Sequence, residues 1–345
     1  MRRTATIQDV ARLAGVSTAT VSRALSKPDG VAEATRAAVL DAVETTGYRL
    51  NPVARNLRRR RTGTVIALAP NLANPFFSQI LAGVAAVLTP EDYGLLVADT
   101  RTGPDPERRL AQYLGAGAAD GLILLDGGLS PSGLAIAGRP PVIAACEWLD
   151  APTPSVRVDN AAGASMAVEH LLAAGHRAIG HVAGPEGNVL TAARRDGFFA
   201  ALRRFGLPPR RDWLLPGDFG LASGAEAAAR WMALDERPTA LFCASDEMAI
   251  GFAGAAQRAG LSVPGDVSIV GFDDIEVAAH QTPALTTVRQ PRERIGRRAA
   301  TLLLDMMRAG TGSGGIETLP VEFIRRDSVA PPSAGRRAVG RARSL

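Results

Sequence analysis

"TIQDVARLAGVSTATVSRAL", residues 6–25, holds two short apolar periodicities separated by a glycine turn. Ile7, Val10, Ala11 and Ala14 recur at helical spacing, Thr6 stands where an N-cap belongs, and Asp9 sits near the positive end of the helix dipole. "AGVS" predicts a tight turn, and Ser17 predicts the cap of a second helix that buries Val21 and Leu25. Outward from this stretch, residues 32–46 predict a third helix with Val39, Leu40 and Val43 inward and Gly47 as its stop. Two short helices across a glycine turn, braced by a third, make the layout of an all-α helix-turn-helix headpiece.

With Val21 and Leu25 inward, Thr18, Ala19, Ser22 and Arg23 share the outer face of the second helix. Arginine can bind guanine O6 and N7 in bidentate fashion, and an alanine methyl can meet a thymine methyl. The hydroxyls of Thr6, Ser17, Thr20 and Ser22 can reach phosphate or base edges, which completes the candidate DNA contacts of this unit. Charge agrees: residues 1–61 carry twelve Lys/Arg against five Asp/Glu, whereas the whole 345-residue chain has a net charge of only +5. A basic head on an acidic body indicates a polyanion bound by the head alone.

"NPVARNLRRRR", residues 51–61, closes the head. Asn51 is a good N-cap, Pro52 fits the first helical position, and Val53, Ala54 and Leu57 line one face. A helix of about nine residues is marginal alone, since isolated helices below ~12–15 residues rarely hold in water. It is expected to form when a second copy and a DNA minor groove complete its apolar face. Leu57 is then the wedge between base steps, with Asn51, Ala54, Arg55 and the arginines from Arg58 to Arg61 along the backbone.

From Thr64 onward the pattern changes. "TVIALAP", "GLLVAD", "GLILL", "PVIAA", "AIGHVAG", "TALFCAS" and "VSIVGFD" predict buried strands, and 76–88, 105–116, 161–174, 192–205 and 246–259 predict the helices between them. Such alternation implies βαβ units and parallel sheets covered on both faces, here two sheets. The expected division is a headpiece over 1–50, a hinge and linker over 51–62, and a ligand-binding domain over 63–330. The last would split into subdomains of 63–160 plus 291–330 and of 161–290. The basic end, 331–345, lacks apolar periodicity and is expected to be disordered.

No apolar run of eighteen residues and no apolar N-terminal segment is present, so neither export nor a membrane partner is expected. Cys146 and Cys243 are too few and too far apart for a disulfide framework or a metal knuckle, which suits a reducing cytosol. The expected location is cytoplasmic, on the nucleoid. No HExxH, GxSxG or P-loop occurs, and "GAGAADG" precedes a strand, the wrong order for a dinucleotide loop. His176 and His181 are expected to satisfy local hydrogen bonds rather than bind metal. No catalytic residue, cofactor or metal is expected.

In open α/β domains, ligands bind at the carboxyl ends of the strands. Phe76, Phe77, Asp126, Glu147, Asp159, Arg194, Asp246 and Asp273 fall there. Phenylalanines can stack on a base or a sugar face, and carboxylates and arginine can take up hydroxyls. An α/β enzyme or a solute-binding protein acting on a small sugar or nucleoside is the alternative on the same architecture.

The opening stretch, with "NPVARNL", "NPFF", "DGLILL", "VDN", "GHRAIGHVAG", "PTALFCASDEMAIG", "VPGDVSIVGFDD" and "PALTTVRQP", resembles in order the signatures of the LacI (lactose-repressor) family. "CEW", "HVAGPE", "ALRRFG" and "GDF" look most like its cytidine-repressor branch. The resemblance implies an α/β effector domain folded like periplasmic sugar-binding proteins, with a nucleoside or sugar effector in the cleft. It also implies a homodimer on a pseudo-palindromic operator, and a transcriptional regulator rather than an enzyme. Arg194 in "RRDGF" and Asp273 in "GFDD" match family positions that touch effector. The lactose repressor's leucine-rich tetramer helix has no counterpart in the tail.

Overall fold

The computed structural model describes residues 5–49, 61–100, 118–129, 140–149, 151–310 and 314–333. The expected hinge residues Asn51, Ala54, Arg55, Leu57 and Arg58, the expected helix over 105–116 and the basic end beyond 333 lie outside that set. Two compact units divide at residues 62 and 63.

The first unit contains α1 (Ile7–Leu13), α2 (Thr18–Ser26) and α3 (Glu33–Thr46). The Asp9 carboxylate accepts from the Thr6 N–H at 3.0 Å and from its hydroxyl at 2.7 Å, which holds the start of α1. Ser17 Oγ accepts from the Thr20 N–H at 3.1 Å and so caps α2. Gly15, at φ +64°, turns the chain between them. Val10, Val21 and Val39, one from each helix, are fully buried and form the core. Leu40 departs from expectation: it is 51% exposed, because Val39, Ala42 and Val43 already fill the inward face of α3.

In the second unit the short apolar runs are strands, and most are buried on both faces, as parallel strands between helices must be. "GLLVAD" departs from the expected burial: it forms a sheet edge, where Leu96 and Val97 stay exposed. One parallel sheet joins β1 (Thr64–Ala69), β2 (Gly94–Asp99), β3 (Gly121–Leu124), β4 (Val142–Ala145), β5 (Ser155–Val158) and β11 (Ile316–Leu319), in the order β11-β5-β4-β3-β1-β2. The other joins β6 (Ile179–Val182), β7 (Leu214–Leu215), β8 (Ala240–Cys243) and β9 (Ser268–Val270), in the order β7-β6-β8-β9. Helices α4 (Phe76–Leu88) and α10 (Arg292–Ala309) pack together beside the first sheet. The second sheet carries α5 (Asn160–Ala173), α6 (Val189–Arg204), α7 (Leu221–Met232) and α8 (Asp246–Arg258). A short helix, α9 (Glu276–His280), follows β9.

The chain passes between the lobes after β5, again between β10 (Thr287–Arg289) and α10, and a third time between β11 and β12 (Glu322–Ile324). Strands β10 and β12 pair antiparallel. The expected boundary kept 291–330 with the first sheet, but only the part through Leu319 stays there. Beyond β12 the chain returns to the second sheet and covers its edge: the Ile269 N–H donates to the Ser328 carbonyl at 2.9 Å, and Ser268 Oγ donates to the Ala330 carbonyl at 3.0 Å. An uncovered edge strand would leave those backbone groups unpaired.

The α4–α10 crossing depends on two glycines. A methyl at Gly296 would sit on the Ile80 carbonyl oxygen, and one at Gly83 on that of Glu293. Backbone cannot yield as a side chain can, so Gly296→Ala is expected to destabilise the domain by about 1–3 kcal/mol. A thermal melt indistinguishable from that of the unaltered protein would show that the helices slide apart freely.

Candidate functional site

At the carboxyl ends of both sheets a cleft of about 110 Å³ opens. From the first lobe, the start of α4 contributes Phe76 and Phe77, whose rings meet edge to face with centroids 5.2 Å apart, and Glu147 follows β4. Arg194 from α6 and Asp273 after β9 face them from the second lobe. Five of the eight expected ligand residues therefore converge. The other three do not line the cleft. Asp126 accepts from the Thr100 hydroxyl and the Gly128 N–H, behind Glu147. Asp159 caps α5, accepting from the Ala162 N–H at 2.9 Å. Asp246 is wholly buried behind Asp273, where it accepts from the Ile275 N–H at 2.9 Å and Thr287 Oγ1 at 2.5 Å.

Arg194 is the anchor. Only 2% exposed, it donates from Nε to Asn160 Oδ1 at 2.9 Å and from a terminal nitrogen to the Ala244 carbonyl, and it lies 3.7 Å from the Asp273 carboxylate. The Phe272 ring packs against its guanidinium, 3.9 Å from the ring centroid. Asp273 also accepts from Gln290 at 2.7 Å. Burial raises the Asp273 and Asp246 carboxyls above the usual range, the charge of Asp273 raises Asp246 further, and Arg194 pulls Asp273 back. Glu147 is raised too, chiefly by burial, although it accepts from the Gly127 N–H at 2.6 Å and from Asn188 at 3.1 Å. Because Asn188 caps α6, that last bond ties the two lobes across the cleft.

Sequence reasoning missed Phe219, which lines the cleft beside Asp218 and Leu190, with Asn71 and Asn74 opposite. Its ring lies 5.7 Å from the Arg194 guanidinium, and its backbone holds φ +72°. Cys146, Asp273 and Asp274 share this unusual conformation, at φ 61°, 119° and 52°. Strain of this kind collects where surrounding structure imposes a functional geometry. The glycine-flanked "GDFG" was the available signal, but no periodicity marks a strained aromatic.

His176 bonds Thr239 Oγ1 at 2.9 Å and the Ala330 carbonyl at 2.8 Å. His181 stacks between Phe198 and Phe242, and burial pushes its pKa down to about 4. Both cysteines are buried. Among the described residues no cluster suits a metal, and no helix is long and apolar enough to cross a membrane.

Near the cleft, burial and the charges of Asp273 and Asp218 raise Glu247 to about 7. The folded chain then keeps a proton that the unfolded chain loses from its ordinary value of 4.5 upward, so stability falls as pH rises from 4.5 to about 7. Glu247→Gln should melt like the unaltered protein at pH 4 and higher at pH 8. The gain is at most about 1 kcal/mol, since solvent screens a half-buried site. An equal difference at both pH values would remove Glu247 as the cause.

On the first unit, Thr18, Ala19 and Arg23 are exposed along α2 and Ser22 is half-buried. Thr6 and Ser17 are engaged in the helix caps, and Thr20 Oγ1 lies 2.9 Å from Ser17 Oγ.

Residues 6–51 match the family model of bacterial regulatory proteins of the lacI family, and residues 168–329 match a periplasmic binding protein-like domain. The HTH-type transcriptional repressor CytR of Escherichia coli (strain K12) is 39% identical over 328 residues, spanning 94% of this chain and 96% of that protein. The chain belongs to the LacI family. Among solved structures, a lac repressor dimer bound to operator and the anti-inducer ONPF is 29% identical, with a TM-score of 0.83 over 95% of this chain and 100% of that one. A transcriptional regulator CelR–cellobiose complex is 34% identical, with a TM-score of 0.72 over 94% of this chain and 100% of that one. This LacI-family chain is thus a helix-turn-helix transcriptional regulator with a periplasmic-binding-protein-like effector domain, and not an enzyme.

Proposed function

We propose that this regulator represses transcription from a pseudo-palindromic operator as a homodimer, under the control of a nucleoside bound in the α/β cleft. The observation that carries the effector reading is the convergence of Phe76, Phe77 and Phe219 on the Arg194–Asp273 pair. Aromatic faces suit a base, and the buried ion pair suits ribose hydroxyls. Glu147, which lines the cleft, would accept from an exocyclic amine such as that of cytidine. A cleft of about 110 Å³ is small beside the ~300–1,000 Å³ of ordinary ligand pockets, so entry requires the lobes to part at the Glu147–Asn188 bond. A sugar effector is the second reading, favoured by the cellobiose-bound relative, because a phenylalanine face also stacks on a pyranose.

On the head, Thr18, Ala19, Ser22 and Arg23 would read bases, with Thr6, Ser17 and Thr20 near phosphate. Asn51, Ala54, Arg55, Leu57 and Arg58 would engage the operator centre. Leu96 and Val97, exposed on the edge strand β2, support pairing of two copies along that edge. The regulator would act in the cytoplasm, on the nucleoid. Calorimetry with cytidine, adenosine, ribose and cellobiose is the test. Saturable cytidine binding that Glu147→Gln weakens about tenfold is expected. Heat from a sugar and from no nucleoside would replace the nucleoside reading with the sugar one.

A further inference from the structure

Behind the cleft lies a larger cavity, about 680 Å³, which the effector reading does not use. We infer that it is a second ligand site, one that takes a small oxyanion presented as a phosphate or carboxylate group. Three observations converge on that charge.

First, the cavity is lined by the start of α10, an 18-residue helix whose N-cap, Pro291, supplies no side-chain acceptor. The positive end of the helix dipole therefore lies at this space without a side-chain cap, and Glu293 is the one acid in its first turn.

Second, Arg292 lines the cavity while only 4% exposed. One terminal nitrogen donates to the Asp274 carbonyl at 2.8 Å, but its buried Nε has no hydrogen-bond partner. A buried guanidinium N–H without an acceptor is costly, and an oxyanion would supply one.

Third, the acids lining the cavity are largely committed. Asp274 holds both Arg289 and Arg326 at 2.7 Å, and Glu293 holds Arg297 at 2.8 Å. Arg294 adds a further positive charge, Arg292 adds one that Asp273, Asp246 and Asp274 partly offset, and of the lining acids only Glu276 stands outside these pairs. The balance favours an anion over a cation.

The cavity also shares a wall with the effector cleft. The Arg292 guanidinium lies 6.0 Å from the Phe76 ring centroid, and the adjacent residues Asp273 and Asp274 line the cleft and the cavity respectively. An anion on Arg292 would therefore shift the same strained turn that positions Asp273. This coupling rests on the effector reading; anion binding does not.

The test is calorimetry on the full-length protein with inorganic pyrophosphate and, separately, malonate, so that the titrant that binds identifies phosphate or carboxylate as the group taken. One saturable site per chain is expected. The double substitution Arg294→Gln/Arg297→Gln, at exposed positions where folding should be spared, should weaken it about tenfold or more. Arg308→Gln, at the far end of the same helix, should leave it unchanged. Binding that survives the double substitution at full strength belongs to another basic surface, such as the head, and overturns the assignment. So does the absence of saturable binding by either titrant to about 10 mM, a limit below which an affinity of even ~3 kcal/mol would register.

Discussion

Arg194→Ala is expected to destabilise the α/β domain by about 3–5 kcal/mol and to abolish effector binding. The substitution removes the counter-charge of Asp273 and strands two acceptors, Asn160 Oδ1 and the Ala244 carbonyl, in the interior. Deprived of Arg194, the Asp273 carboxyl rises further above its ordinary value and the loss grows with pH, because the folded state then retains a proton through a wider range. Melts should therefore separate from those of the unaltered protein more at pH 8 than at pH 5. The double variant Arg194→Met/Asp273→Asn, which removes both charges, should recover part of the stability and none of the ligand binding. A single variant melting within about 2 °C of the unaltered protein at both pH values would mean that the ion pair contributes little.

Arg23→Ala should weaken operator binding by about 1–3 kcal/mol per half-site. A dimer presents two copies, so the loss for the complete operator is about 2–6 kcal/mol, a factor from ~30 to beyond 10⁴. Arg23 is exposed on the outer face of α2, so its loss opens no cavity and the head should stay folded. Fluorescence anisotropy against the operator and its single-base variants is the check. Preference should relax at one base pair in each half-site and persist elsewhere. Uniform weakening across all sequences would make Arg23 a phosphate contact, and unchanged affinity would remove it from the interface.

Local chemistry made the elements legible. Val10, Val21 and Val39 declare the head's core through helical spacing, and runs such as "TVIALA" and "ALFC" declare strands buried on both faces. Ser17 and Asp9 announce the helix starts, because a cap needs only partners within three residues. Leu40 misled because one helical turn leaves its neighbour equally eligible to face inward, and the packing of α1 and α2 chose Val39.

The cleft obeys a different rule. Asp126, Asp159, Asp246 and Asp273 all follow strand ends and look equivalent in sequence, yet only Asp273 lines the cleft while the others satisfy nearby N–H and hydroxyl groups. Which carboxylate is free to meet a ligand depends on donors brought from elsewhere: Thr287 reaches Asp246 across 41 residues, and Asn188 reaches Glu147 across 41. Phe219 enters the site through a positive φ imposed by its surroundings, and the return of residues 325–330 answers the open edge of β9. Periodicity and caps act over a few residues and can be read along the chain. The cleft arises where distant loops compete for the same hydrogen-bonding partners, and that competition is settled only once the two sheets have packed.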